Sequence, residues 1–419
     1  MRKTAHLVEQ LSDSNPRLKQ CYICKGSKML CGKTRCPLLM KYYHSIKKER
    51  LMQKDVQGLS PPAVFVGRYG YPKVAIGPLV PPVKEDTEIY DMPERWIDLS
   101  TDDIVDFRAS LIRGKKTIGV EDVGNSYVQD LQEVAMAAKP LDMDAHFSRR
   151  PSGGLHTDSH AQPYGPSAPL IKFDTTNPKV DQKVEKAYYD VDMLAADAVK
   201  ELYKSGIPVS KLQRSFSVGS FGVGKRRKLV PTRWSITAVD DTISKGLRER
   251  IKEFPTIDEF RVYESYKFSN RFIILMLPRA WSYELVEAWY PNTIWNPSDS
   301  GKFMVSSHEY YEGRKKYAEI GGCFYASRLA IGEKLMSEGR QAEAIVLREA
   351  HPGYIMPLGV WHVRENVRNA LRQAPSKFDS FNSAMDHITK RFRIDKQSWI
   401  KNSKLLDDAS YQKRLEEYA

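Results

Sequence analysis

Four of the five cysteines crowd into sixteen residues, as Cys21-x2-Cys24-x6-Cys31-x4-Cys36 in "CYICKGSKMLCGKTRC". No other feature limits its stretch of chain so tightly. Two thiols three residues apart form a knuckle that grips one tetrahedral ion, and Gly26 and Gly32 follow the second and third cysteines, where the turns need conformational freedom. The intervening loops are short and lysine-rich and carry too little apolar surface for a core, so a metal is expected to fold this module. Thiolates select Zn²⁺ or an iron–sulfur cluster over hard cations. Zinc is the expectation and the cluster its competitor. His44 falls outside the spacing, and Cys323 reads as a small buried hydrophobe.

The charge is placed as unevenly as the cysteines. The chain of 419 residues has a net charge of +13, yet residues 1 to 54 alone hold thirteen Lys and Arg against three Asp and Glu. That end seeks a polyanion. Nucleic acid is the expected one, because a membrane-surface segment would show an amphipathic helix with a Trp/Phe/Leu face, and none is present. No apolar run is long enough to cross a bilayer and the N-terminus lacks the apolar region of a signal peptide, so a cytoplasmic protein with no membrane partner is expected. A hydrophobic content of 41% supports a large folded core behind the cysteine module.

"GSFGVGKRRK", residues 219–228, matches most of a phosphate-binding nucleotide loop. Such a loop continues with Ser or Thr after its lysine and opens a helix there. Here Arg226 follows Lys225, and "RRKLVPTRWSITAV", with Pro231 in its middle and many β-branched residues, reads as a strand. A glycine-hinged basic turn remains. Lys225, Arg226, Arg227, Lys228 and Arg233 suit a phosphate backbone, or else form a solvated basic turn.

Elsewhere the pattern mixes helices and strands. Ala63 to Val66 and Val74 to Ile76 read as a strand pair. Ser100 with Asp103 three residues on announces a capped helix bearing Ile104, Phe107 and Leu111, with Gly114 as its stop. Residues 148–170 are dense in Gly, Pro and Ser, as an ordered loop or an inter-lobe connection. They hold His156, Asp158 and His160 at period two, a weak second metal-site candidate. Residues 183–205 read as one long amphipathic helix. "EFRVYESYKFSNRFIILMLPR" reads as a hairpin turning at Ser269 and Asn270 and ending before Pro278. The expected class is α+β: a mixed α/β core, an N-terminal zinc-binding module and a mostly helical C-terminal third. The expected division is a basic four-cysteine module over 1–55, a core over 56–400 with a possible lobe break near 150–175, and a C-terminal helix and tail over 401–419.

"FVGRYGYPKVAIGPLVPP", "GPSAPL", "RKLVPTRWSITAVDDTIS" and "HPGYIMPLGVWHVRE", behind the four-cysteine module, resemble the archaeal Nre family of DNA repair proteins. The resemblance runs from about Cys21 to the C-terminus. It implies a cytoplasmic protein of DNA damage repair whose tail couples to the sliding clamp, PCNA, and it names a pathway without naming a reaction. The tail "QKRLEEYA" places Gln412, Leu415 and Tyr418 in clamp-binding order: a glutamine for a polar pocket, then an aliphatic and an aromatic brought together by one helical turn. Ala419 stands where a second aromatic is usual.

An enzyme acting on DNA needs clustered carboxylates for Mg²⁺ or Mn²⁺, or a base beside a phosphate clamp. Asp240 and Asp241 follow the expected strand bearing Arg233 and are the carboxylate-pair candidate. His351, Arg364 and Glu365 are candidate wall residues. The leading expectation is a DNA-binding repair factor that delivers DNA to the clamp. The alternatives are a metal-dependent nuclease, or another DNA-processing enzyme, using Asp240 and Asp241 or the His156 cluster, and a zinc-containing RNA-binding protein.

Overall fold

The computed structural model describes Cys24, Leu30, Cys31, Cys36 and residues 53–411 apart from 154, 292, 294 and 297–300. Its frame is a pair of six-stranded mixed sheets. The first contains β1 (Asp55–Ser60), β2 (Val64–Val66), β3 (Lys73–Val80), β4 (Ile112–Gly119), β5 (Leu141–Phe147) and β6 (Ser167–Thr175), in the order β1-β5-β6-β4-β3-β2. Neighbours are antiparallel except β4 and β6, where Arg113 pairs with Ser167. Helices α1 (Thr101–Ser110) and α2 (Ser126–Met136) interrupt the strand sequence. Val128, Leu131, Val134 and Ala135 of α2 pack on Val74, Ile76, Met143 and Phe147 to form the first core.

The Ser100 cap is as the sequence announces. Its hydroxyl accepts from Asp103 N–H while Asp103 accepts from the Ser100 backbone, so two otherwise orphaned donors are satisfied reciprocally. The stop is not Gly114: α1 ends at Ser110, Leu111 turns extended, and Gly114 lies inside β4, where a side chain would crowd Leu170.

Four helices follow: α3 (Gln182–Tyr189), α4 (Ala195–Lys204), α5 (Val209–Ser217) and α6 (Thr232–Ile251). The single helix expected over 183–205 is two, because Asp190 Oδ1 accepts from the N–H groups of Asp192 and Met193 and so offers the backbone a turn in place of the helix. The strand expected after the basic loop is the 20-residue helix α6. Pro231 sits at its N-cap, and Ile236, Val239, Ile243 and Ile251 are buried along one stripe. That three-to-four spacing outweighs the β propensity of the individual residues. The helices share a core of Val184, Val199, Leu202, Leu212, Val239 and Ile243.

The second sheet contains β7 (Phe260–Lys267), β8 (Asn270–Leu277), β9 (Ser282–Trp289), β10 (Phe303–Glu309), β11 (Glu343–Ala350) and β12 (Ser376–Phe378), in the order β10-β9-β11-β8-β7-β12. The hairpin between β7 and β8 turns on Phe268 and Ser269, whose φ angles of 53° and 54° mark a primed two-residue turn. Helix α7 (Gly322–Glu338) connects towards β11, which runs parallel to β9, and α8 (Trp361–Leu371) follows. Strands β9 and β11 are buried at every residue because α7 and α8 cover one face while α9 (Phe381–Thr389), α10 (Lys396–Lys401) and α11 (Lys404–Tyr411) cover the other. Helix α1 and the segment carrying Trp96 pack on the second sheet and α8 at an apolar seam where Trp96 and Trp361 meet edge to face, 5.0 Å between centroids. The Gly/Pro/Ser-rich segment 148–170 joins β5 to its neighbour β6, held by bridges between Ser152 and Ser167 and between His156 and Tyr164. Among the described residues no helix is long and apolar enough to cross a membrane.

Candidate nucleic-acid interface

A cavity of about 390 Å³ opens between the β2 edge of the first sheet, segment 156–164 and helices α5 and α6. Six cations line it, Arg68, Arg108, Arg113, Lys115, Arg214 and Arg233, against two carboxylates, Asp91 and Asp158. Both carboxylates are already engaged. Asp91 lies 2.5 Å from Arg108 and 3.1 Å from Arg214, so two guanidiniums share one anion. Asp158 pairs with Arg233 at 3.1 Å.

Arg113 has no carboxylate against it. Its guanidinium lies over two rings, with Tyr164 at 4.1 Å and Phe65 at 5.5 Å, and its Nη2 donates to Gly165 O over 3.3 Å. The residue is only 8% exposed, and burial next to Arg108 pulls its pKa down to about 10, which leaves it charged at neutral pH. Its position follows from local chain geometry. Arg113 leaves the parallel β4–β6 pair towards the cavity, and Gly165 packs so closely on Ala109 O and Leu111 O that a side chain there would collide, which fixes Tyr164 over the guanidinium.

The rim is aromatic. Tyr69 is 82% exposed on the cavity wall, and close along the chain to the lining residues Tyr69 and Arg233, exposed Tyr71 and Trp234 touch each other, rings tilted, with centroids 5.3 Å apart. Exposed Tyr317 lies within the field of Arg233.

The five cations of the basic turn separate by role. Lys225 and Arg226 are exposed. Arg227 is structural: its Nε donates to Gly222 O and its Nη2 to the carbonyls of Tyr188 and Asp190 at 2.7 and 2.9 Å. Lys228 pairs with Glu121 at 2.8 Å. Arg233, at the second position of α6, enters the cavity. The glycines do not form a phosphate cradle, since Gly224 to Arg226 make a single 3₁₀ turn and the helix begins only at Thr232.

The metal candidates in the core do not converge. Asp158 Oδ1 accepts from the N–H groups of His160 and Ala161. His160 Nε2 accepts from Gly322 N–H at the start of α7 and its Nδ1 meets the Ser159 hydroxyl, so this ring caps a helix. Burial and the nearby Arg233 push its pKa down to about 4, which keeps Nε2 free of a proton to accept. His156 instead stacks on Tyr164. Asp240 and Asp241, rather than following a strand, lie in the middle of α6 and point to different partners. Asp240 is fully buried between Gln213 and Arg364, while Asp241 pairs with Arg328 and Lys245. His351 sits beyond β11, stacked on Tyr290 and 3.3 Å from Glu349. Arg364 and Glu365 are buried in α8, joined to each other and to Asp240 and Arg368, and are not surface charges. Among the described residues no three His, Cys, Asp or Glu side chains are placed to hold a metal. Of the four-cysteine module, Cys24 is buried and Cys31 and Cys36 are partly buried, while Cys21 lies outside the described residues. Gln412, Leu415 and Tyr418 lie outside them too.

Residues 30–296 match the family described as archaeal Nre, N-terminal, and residues 309–418 match archaeal Nre, C-terminal. The chain belongs to the archaeal Nre family. It is 42% identical over 387 residues to DNA repair protein NreB of Archaeoglobus fulgidus, covering 92% of this chain and 96% of the relative. It is 38% identical over 384 residues to DNA repair protein NreA of the same organism, covering 91% and 95%, and 35% identical over 353 residues to NreA of Haloferax volcanii, covering 82% and 84%. No solved structure matches the chain. The N-terminal match ends after β9 and the C-terminal match begins at Glu309, the last residue of β10; β11 of the C-terminal region pairs with β8 and β9 of the N-terminal region, so the second sheet is assembled from both.

Sequence reading missed most of this site. Arg108, Arg113, Arg214, Tyr69 and Tyr164 are scattered over more than a hundred residues, and no spacing links them. One signal was available in "LIRGK": an arginine placed where a strand otherwise reads apolar.

Proposed function

We propose that this Nre-family chain acts in DNA repair by binding DNA across the arginine-lined cavity, its aromatic rim and the exposed tip of the basic turn. The role in repair rests on kinship with three relatives each described as a DNA repair protein. The DNA-binding reading rests on one observation above the others: Arg113, charged, buried and ring-stacked with no carboxylate, in a cavity whose cations outnumber its anions six to two. Phosphate supplies the missing counter-charge, and Tyr69, Tyr71, Trp234 and Tyr317 supply faces on which bases stack whatever the sequence. Cys21, Cys24, Cys31 and Cys36 would hold Zn²⁺, a donor set suited to it, and the strongly basic module would add phosphate contacts. Gln412, Leu415 and Tyr418 would dock on the sliding clamp.

Fluorescence anisotropy with single-stranded, duplex, flap and fork DNA, in the presence and absence of Mg²⁺ or Mn²⁺, tests the reading. Salt-sensitive binding without strand cleavage is expected; cleavage, or no binding at low salt, refutes it. For the tail, Leu415→Ala with Tyr418→Ala is expected to abolish clamp binding at unchanged melting temperature.

Against the nuclease alternative weighs the pairing of Asp240 with Arg364 and of Asp241 with Arg328 and Lys245, which sets the two carboxylates to separate partners.

A further inference from the structure

The cavity is built for more than a passing backbone. The Arg113 guanidinium lies over the rings of Tyr164 and Phe65, and one of its N–H groups, Nη2, makes a long contact with Gly165 O. Its Nε–H is buried without an acceptor, and so is the Nε–H of Arg214. Arg214 already shares the single carboxylate of Asp91 with Arg108, leaving that largely buried trio one positive charge in excess. Two unsatisfied guanidinium donors and an uncompensated charge, buried together, are costly unless an anion with several oxygens enters. The N-terminus of α6 adds to the demand. Its N-cap is Pro231, which has no side-chain acceptor, and its first residues, Thr232 and Arg233, line the cavity with the positive end of a 20-residue helix.

We infer that the cavity holds a phosphomonoester carried on a nucleotide, namely the phosphorylated end of a DNA strand, with its base against the Tyr69–Tyr71–Trp234 rim. The inference rests on the DNA-binding reading above and specifies which part of the strand enters. Two features select an end over an internal phosphate. A phosphomonoester carries about −1.5 to −2 charges near neutral pH, against one for a phosphodiester, and so matches an excess of several cations. A volume of about 390 Å³ is at the small end of ligand cavities, which run from about 300 to 1,000 Å³, the scale of a single nucleotide rather than of a strand. The same phosphomonoester is found on free mononucleotides, so the test includes both sources.

One single-stranded oligonucleotide is prepared with a 5′-hydroxyl, a 5′-phosphate or a 3′-phosphate end, and binding of each to the full-length protein is measured by anisotropy. Deoxyadenosine 5′-monophosphate and inorganic phosphate are added as competitors and as ligands in thermal-shift assays. One phosphorylated end is expected to bind about tenfold tighter than the hydroxyl end. Arg113→Gln is expected to erase that preference. Because a buried substitution can impair folding, Arg68→Ala at the exposed rim serves as the second variant and should reduce the preference with the fold intact. Lys225→Ala with Arg226→Ala should weaken all three oligonucleotides equally and leave the preference standing. Equal binding of hydroxyl and phosphate ends overturns the inference while the DNA-binding reading survives. If no oligonucleotide binds but the mononucleotide raises the melting temperature in an Arg113-dependent way, the DNA-binding reading fails and the cavity is a phosphomonoester site for free nucleotides. If neither binds, both fail.

Discussion

The guanidinium of Arg233 lies 3.1 Å from the carboxylate of Asp158, joining the basic segment that opens α6 to the loop between β5 and β6. In the sequence the two belong to unrelated motifs, 75 residues apart, one suggesting phosphate and the other metal. In the fold Asp158 holds its own loop through two backbone N–H groups and holds Arg233 at the cavity wall. The pair therefore tunes how much of the charge of Arg233 is available to a ligand.

Asp158→Asn keeps an amide oxygen for the backbone N–H groups of His160 and Ala161 and removes the negative charge. DNA binding is expected to tighten severalfold at low salt, with the gain fading as salt rises. Stability should fall by about 1 kcal/mol or less, as for a partly exposed ion pair. Weaker binding in this variant would show that Asp158 contributes by positioning alone.

Within the basic turn, neighbouring cations should behave differently. Lys225→Ala with Arg226→Ala is expected to weaken binding to every DNA sequence and to reduce the salt slope by about two counterions at most, with the melting temperature unchanged. Arg227→Ala should instead lower stability by about 1–3 kcal/mol, because three carbonyls lose a charged donor. Paired thermal melts and salt titrations separate the two effects.

Asp240→Asn and Asp241→Asn are expected to act on stability. Asp240 is fully buried, and removing its charge leaves Arg364 without its closest anion, a loss on the order of 3–5 kcal/mol. Asp241→Asn takes one of two carboxylates from Arg328, which keeps Glu309 at 2.6 Å, so a smaller loss is expected. Chemical denaturation measures both. An unchanged midpoint with a lost DNA-dependent activity would restore the pair as a catalytic candidate.

Acid should destabilise the protein through its histidines. His362 Nδ1 donates to Gly359 O at 2.6 Å and its Nε2 accepts from Arg348, which has only donors to offer. Burial and Arg348 push its pKa down to about 3, and burial with Arg233 pushes His160 to about 4, from about 6.5 in the unfolded chain. Between those values the unfolded state binds more protons, so stability is full above pH 6.5 and is lost as pH falls towards 4 and below. Glu343 works in the opposite sense. Burial raises its pKa to about 7, so its contribution is complete below the ordinary glutamate range near 4.5 and is lost as pH rises through 7. Glu343→Gln is therefore expected to raise the melting temperature at pH 8 more than at pH 5, and His362→Gln to flatten the acid limb, both followed by thermal melts across pH.

Local signals sufficed where one short segment carries its own physics. The Ser100–Asp103 box, the β2–β3 pair, the hairpin at Ser269 and the ending of β8 before Pro278 each depend on residues within a few positions of one another, and each was legible. The mixed α+β class and the family were legible for the same reason, through motifs that stay together along the chain. Helix α6 was misread because "TRWSITAV" has strand propensity residue by residue, while its apolar stripe emerges only over several turns. The cavity was beyond any local reading. Arg113 comes from a strand, Arg108 from the helix before it, Arg214 from α5, Arg233 from α6 and Tyr164 from a loop, and nothing in the chain announces that they meet. The sequence by itself determined those elements and caps whose signals are local, the fold class and the basic N-terminal end, because propensity, periodicity and charge act over a few residues. Tertiary structure alone decided which cations were left without an anion, because that depends on which carboxylates from distant segments reach them and on the burial that makes an unpaired charge costly.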